Sequence, residues 1–209
     1  MGAFTQLADV LVNTGFTLYI SLVWMRFLLQ LVGADFYNPY SQFVVKATKP
    51  LLHPMRRLVP SVAGMDTAAL LLILLLKLAQ VGIEGYLLVG AFIPPVALLM
   101  TSIFALAGNL ISFYLVAIII AVIASWVAPP GSTPASLLLY QIVEPAMGPL
   151  RRLLPSAGGL DFSPMVAMLL LQIAGYFLKL AIIMAAPLLQ GWGMYTLLAS
   201  RPLFGYLGG

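Results

Sequence analysis

The stretch MRRLVPSVAGMD, residues 55–66, returns almost unchanged as LRRLLPSAGGLD, residues 150–161. The offset is 95 residues, and it holds well beyond this stretch. Tyr19 falls on Tyr114, Pro39 on Pro134, Ser41 on Ser136 and Pro50 on Pro145. Pro54 falls on Pro149, and Arg56 and Arg57 fall on Arg151 and Arg152. Pro60, Gly64 and Asp66 fall on Pro155, Gly159 and Asp161, with no gap needed. Shared apolar composition aligns leucines by chance, but not prolines, an arginine pair and an aspartate in register. The chain therefore reads as a tandem duplication, with units at 1–95 and 96–209.

Composition sets the solvent in which the two units fold. Of the 209 residues, 62% are hydrophobic and only 8% are charged. A soluble domain is about half apolar and about a quarter charged. So few charges cannot cover a water-facing surface, and the chain reads as an all-α integral membrane protein. Apolar runs long enough to cross a bilayer are predicted at about Leu7–Val32, at about Asp66–Phe92, up to about Val127, and at about Asp161–Ala186. Each unit then holds a span, a polar-edged connector and a second span. Two spans per unit put both copies in the same orientation, as parallel repeats. Residues 93–108 are ambiguous. Pro94-Pro95 breaks the chain, and the apolar piece that follows reads either as a re-entrant or interfacial helix or as the start of the third span, with Gly108-Asn109 as a joint.

The distribution of Lys and Arg orients the chain. The connectors carry Lys46, Lys49, Arg56, Arg57, Arg151 and Arg152, while the opposite side carries Arg201. The positive-inside bias places both connectors in the cytoplasm and both termini outside. The N-terminus has no basic leader, so a cleaved signal peptide is not expected.

Each connector reads as two short helices. Gln42, Lys46 and Lys49 share one face of the first, and Leu137, Gln141 and Glu144 take the matching places in the second copy. Pro50 and Pro145 are expected to end these helices, and Pro54 and Pro149 to begin the next. Pro60 or Pro155 stops the arginine-bearing helix, Gly64 or Gly159 turns the chain, and Asp66 or Asp161 caps the following span. The amphipathic connectors are expected to lie in the membrane interface. Their arginines suit either anchoring at anionic lipid headgroups or docking of an acidic membrane or cytoplasmic protein.

Ionisable groups inside a span need an explanation. Lys77 and Glu84 lie 11 and 18 residues after Asp66, which places all three on one helix face. The fourth span carries Gln172 and Lys179 after Asp161. Glu84 and Lys179 are repeat equivalents of opposite sign, as are Lys49 and Glu144. This complementarity predicts that the second and fourth spans pack across a pseudo-twofold axis, pairing Glu84 with Lys179. Arg26 is near enough to the cytoplasmic end to snorkel.

Other chemistry finds little support. Cysteine is absent and His53 is the lone histidine, so no disulfide, thiolate chemistry, metal site or cofactor is expected. The net charge of +4 comes without a basic run interleaved with aromatics, so nucleic acid is not an expected partner. No nucleophile–base set or phosphate-cradling loop is present, and no enzyme activity is expected. Oligomerisation is compatible with the pattern.

The repeated P-x-R-R-x-x-P-x-x-x-G-x-D signature resembles that of the YggT family, also called YlmG. Here it stands as P-M-R-R-L-V-P-S-V-A-G-M-D and P-L-R-R-L-L-P-S-A-G-G-L-D. The second copy continues to the family's D-x-S-P, while the first has Thr67-Ala68-Ala69, which predicts a looser turn. The resemblance covers essentially the whole chain as a two-copy member of the type that implies a bacterial inner membrane. It implies no established enzyme activity. It connects the chain with osmotic or ion homeostasis, with division or nucleoid organisation, and with cofactor maturation of membrane complexes in photosynthetic organisms. Two readings follow. One is a scaffold or assembly factor that works through its Arg-Arg connectors. The other is an ion-handling protein with Lys77, Glu84, Gln172 and Lys179 along a path.

Overall fold

The computed structural model describes residues 2–62, 64–127, 131–153 and 161–189. Pro155, Gly159 and Arg201 lie outside them. Among the described residues six helices follow one another: α1 (Ala3–Leu31), α2 (Pro39–Leu58), α3 (Thr67–Val89), α4 (Pro95–Val127), α5 (Pro134–Leu153) and α6 (Ser163–Leu189). α1, α3, α4 and α6 are long and apolar enough to cross a membrane. The chain is thus a multi-pass membrane protein of two three-helix repeats, each with two spans around a connector helix.

The ambiguous region is settled as span. Pro95 sits at the first position of α4, where its missing N–H costs nothing, and the helix runs unbroken through Gly108 and Asn109. Its 33 residues extend about 50 Å at about 1.5 Å each, longer than a hydrocarbon core of about 30 Å.

The connectors depart from the two-helix expectation. α2 contains Pro50 and Pro54, and α5 contains Pro145 and Pro149, each within one continuous helix. All four prolines are exposed. Their four-residue spacing stacks both backbone faults on the outer face, where water can take the freed carbonyls. The opposite face keeps its ladder and its packing: α2 buries Ser41, Val44, Thr48 and Leu52, one residue per turn. The helix starts are well specified. Asn38 caps α2 by accepting the Tyr40 N–H at 3.0 Å, followed by Pro39. Thr133 accepts the Ser136 N–H at 3.1 Å and returns its own N–H to the Ser136 hydroxyl, a reciprocal cap before Pro134.

Within each repeat the two spans pack on each other and on their connector. Between repeats, α1 meets α4 and α2 meets α5, so equivalent helices face each other near the relating axis. The Asn38 amide donates to the Pro134 carbonyl at 2.6 Å and ties the two connector starts together. The core sits at the connector end of the bundle, around Ile20, Leu29, Leu52, Ile73, Ile118 and Ile142. Beyond this, the relation is unequal. α3 packs along α4, but α6 does not pack along α1.

Candidate functional site

Consecutive residues on a helix point about 100° apart. An Arg-Arg pair therefore cannot turn both heads the same way, and the structure divides it. In the first repeat, Arg56 turns toward the bundle and ion-pairs with Asp66, its Nε donating to Oδ2 at 3.2 Å. The Asp66 side chain is fully buried. Its other oxygen accepts the Ala69 N–H at 3.2 Å, so one carboxylate both caps α3 and holds the end of α2. Arg56 also donates to Gln30 at 3.1 Å, which joins α1 to the clamp. Gly64 turns the intervening chain at φ +79°, a conformation favouring glycine. The Thr67 hydroxyl donates to the Pro60 carbonyl at 2.5 Å. The first-copy departure at Thr67 thus supplies a bond across its own turn; the matching turn of the second copy, residues 154–160, lies outside the described residues.

The second repeat builds the same clamp in a more open setting. Arg151 Nε donates to Asp161 Oδ2 at 3.1 Å, and Nη1 donates to Glu144 Oε2 at 2.6 Å. Asp161 accepts the Ser163 N–H at 2.9 Å at the start of α6. Burial alone would raise the Asp161 carboxyl, but the bonds from Ser163 and Arg151 outweigh it and hold it below the ordinary carboxylate range.

The second arginine of each pair faces out. Arg57 and Arg152 are exposed, as are Lys46, Lys49 and His53. These α2 residues recur every three or four positions and form one cationic row, with Arg57 Nη2 lying 3.3 Å from His53 Nε2. A groove of about 320 Å³ runs along them, lined by Lys46, Lys49, Pro50, His53 and Pro54. The same positions on α5, with Val32 and Arg152 added, form a groove of about 360 Å³.

Along α3, Asp66 at the cap and Lys77 and Glu84 within the span are all at least nine-tenths buried. Two residues missed in the sequence complete the group. The Gln80 amide accepts from Lys77 Nζ and donates to Glu84 and to Asn13 of α1, each at 3.0 Å. Gln80 lies three residues after Lys77 and four before Glu84, a spacing that could have found it. Asn13 had no such signal.

The expected partner is elsewhere. Lys179 and Gln172 are exposed on α6, while Glu84 is buried in the first repeat. The second and fourth spans do not pair through Glu84 and Lys179, because α6 packs on α4 and α5 and leaves that stripe outward. Lys49 does not meet Glu144 either, since Glu144 bonds Arg151. Arg26 does not snorkel. It is buried beneath α2, donates to Thr48 at 3.4 Å, and lies within electrostatic reach of Arg56 and Asp66.

Fold and site together define a duplicated membrane protein in which an Arg–Asp clamp closes each connector helix onto the next span. The chain belongs to the YggT family: the model of that family, CCB3/YggT, matches residues 5–87 and again residues 100–183. A protein of Pseudomonas aeruginosa described as uncharacterised is 46% identical over 75% of this chain and 80% of its own length. The Escherichia coli K12 protein YggT, also described as uncharacterised, is 37% identical over 78% of this chain and 84% of its own. A Haemophilus influenzae relative is 36% identical over 74% and 81%, respectively. No solved structure matches the chain.

Proposed function

We propose that the protein is a non-enzymatic scaffold or assembly factor of the bacterial inner membrane. Its two connectors face the cytoplasm and dock an acidic protein surface or anionic lipid. The observation that carries this is the division of the arginine pairs. Arg56 and Arg151 are consumed by the clamps, which leaves Lys46, Lys49, Arg57 and Arg152 outward on rigid helices. A helix fixed by a cap at one end and a clamp at the other presents its charges at low entropic cost. Pull-down of the intact protein from native membranes tests this reading. Exchange of Lys46, Lys49, Arg57 and Arg152 for Ala should abolish capture of a stoichiometric partner while the protein stays folded. Unchanged capture would overturn it.

A second reading, ion handling, draws on the buried Asn13, Lys77, Gln80 and Glu84 group, because polar side chains within a span usually serve a purpose. The group is short and satisfied by its own bonds, and Gln172 and Lys179 do not extend it. Lys77→Leu separates the two readings: docking should survive the change, whereas flux into liposomes should not.

A further inference from the structure

We propose that the groove along α2 binds an acidic phospholipid whose headgroup carries hydroxyl donors beside its phosphate. The equivalent groove on α5 has been converted so that it does not. The proposal rests on the docking reading above and names the ligand of one of its two surfaces.

The two grooves are built from the same repeat positions. Lys46, Lys49, Pro50, His53 and Pro54 correspond to Gln141, Glu144, Pro145, Gly148 and Pro149. They therefore share a helical frame, to which the α5 groove adds Val32 and Arg152, and their chemistry differs. On α2 two ammonium groups and an imidazole line the groove, no carboxylate does, and Arg57 continues the row. This matches a phosphate. The prolines add acceptors. Pro50 and Pro54 line the groove and have no N–H to give the carbonyls of Lys46 and Pro50, which therefore lack their helical donor. A headgroup that offers only phosphate leaves these carbonyls unused. One with glycerol hydroxyls supplies their donors.

The surroundings suit a lipid rather than a soluble phosphate. α1 ends at Leu31 and α2 begins at Pro39, so α2 stays close to the end of a membrane span. Phe43 is 63% exposed one turn before Lys46 on the same row, and Leu51 is 43% exposed at its flank. Both offer apolar contact for acyl chains beside the charged row.

On α5 the site is reversed. Glu144 stands where Lys49 does, and Gly148 stands where His53 does. The missing side chain gives the carboxylate its place: a Cβ on Gly148 would lie 2.7 Å from Glu144 Oε1. Glu144 then bonds Arg151 at 2.6 Å. A phosphate entering this groove meets a carboxylate and the remaining cation, Arg152.

The test is native mass spectrometry of the intact purified protein titrated with phosphatidylglycerol. Phosphatidic acid, which lacks the headgroup hydroxyls, and soluble glycerol phosphate serve as separate arms. One phosphatidylglycerol should stay bound per chain, more tightly than phosphatidic acid, and glycerol phosphate should not compete at equal concentration. Lys46→Ala with Lys49→Glu removes three units of charge and should weaken retention by about a hundredfold. Glu144→Lys with Gly148→His should create a second site, which guards against a first variant that merely misfolds. Equal retention in the α2 variant overturns the proposal, as does no second lipid in the α5 variant. Equal affinity for phosphatidic acid, or an acidic protein held in place of lipid, overturns it too. Partner capture is read separately, so loss of lipid specificity with capture intact would sink this proposal and leave the docking reading standing.

Discussion

At the scale of single residues, the two clamps share a geometry but not an environment. Asp66 is fully buried, so removing Arg56 strands a desolvated carboxylate, an expensive event. Asp161 is 48% exposed, and water can replace Arg151. Arg56→Ala should therefore cost about 3 kcal/mol, the low end for a buried carboxylate because the arginine is itself 38% exposed. Arg151→Ala should cost under about 1 kcal/mol. Thermal melts of the two variants in detergent check the order, and equal losses would contradict it. Asp161 also makes a pH prediction. Its folded-state carboxyl is held low, so its contribution is full at neutral pH and disappears as pH falls through that lowered value. The melting difference between wild type and Asp161→Asn should be small but present at about pH 7 and absent at about pH 2. A difference that grows on acidification would contradict the sign.

At the scale of elements, legibility followed how local each signal is. The cap at Asp66 and the common face of Asp66, Lys77 and Glu84 depend on spacing within one helix, and the structure has Asp66 capping α3 with all three residues buried. The connector helices are not legible from proline as a local breaker, because their continuity depends on the packed opposite face. Two exposed prolines in register on one face are carried within each connector helix, whose other face is packed. The orientation of α6 was not readable at all, because it depends on which neighbours the helix meets rather than on its own period. Gln80 gives a prediction at this scale. Its amide bridges α3 to Asn13 of α1, so Gln80→Leu should destabilise the first repeat by about 1–2 kcal/mol. The check is a melt alongside Gln172→Leu, which touches no such bridge and should be close to neutral. If both variants melt like wild type, the bridge does not hold the pair together.

At the scale of the whole molecule, the duplication was legible because prolines, arginines and aspartates keep register over 95 residues. What the repeats do to each other was not. One pattern, written twice, has diverged into a first repeat with buried charges and a cationic connector, and a second with exposed ones and a carboxylate. Docking through both connectors requires that they lie on one side of the membrane, in the cytoplasm. The natural absence of cysteine makes this directly measurable. Single cysteines at Lys46, Gln141 and Phe92 would be probed with a membrane-impermeant thiol reagent, in intact cells and after the membrane is opened. Phe92 is 87% exposed between α3 and α4, on the opposite end from the connectors. Phe92→Cys should label in intact cells, and Lys46→Cys and Gln141→Cys should label only once the membrane is opened. Labelling of Lys46→Cys and Gln141→Cys on different sides would contradict parallel repeats, and labelling of both from outside would remove the cytoplasmic docking surface.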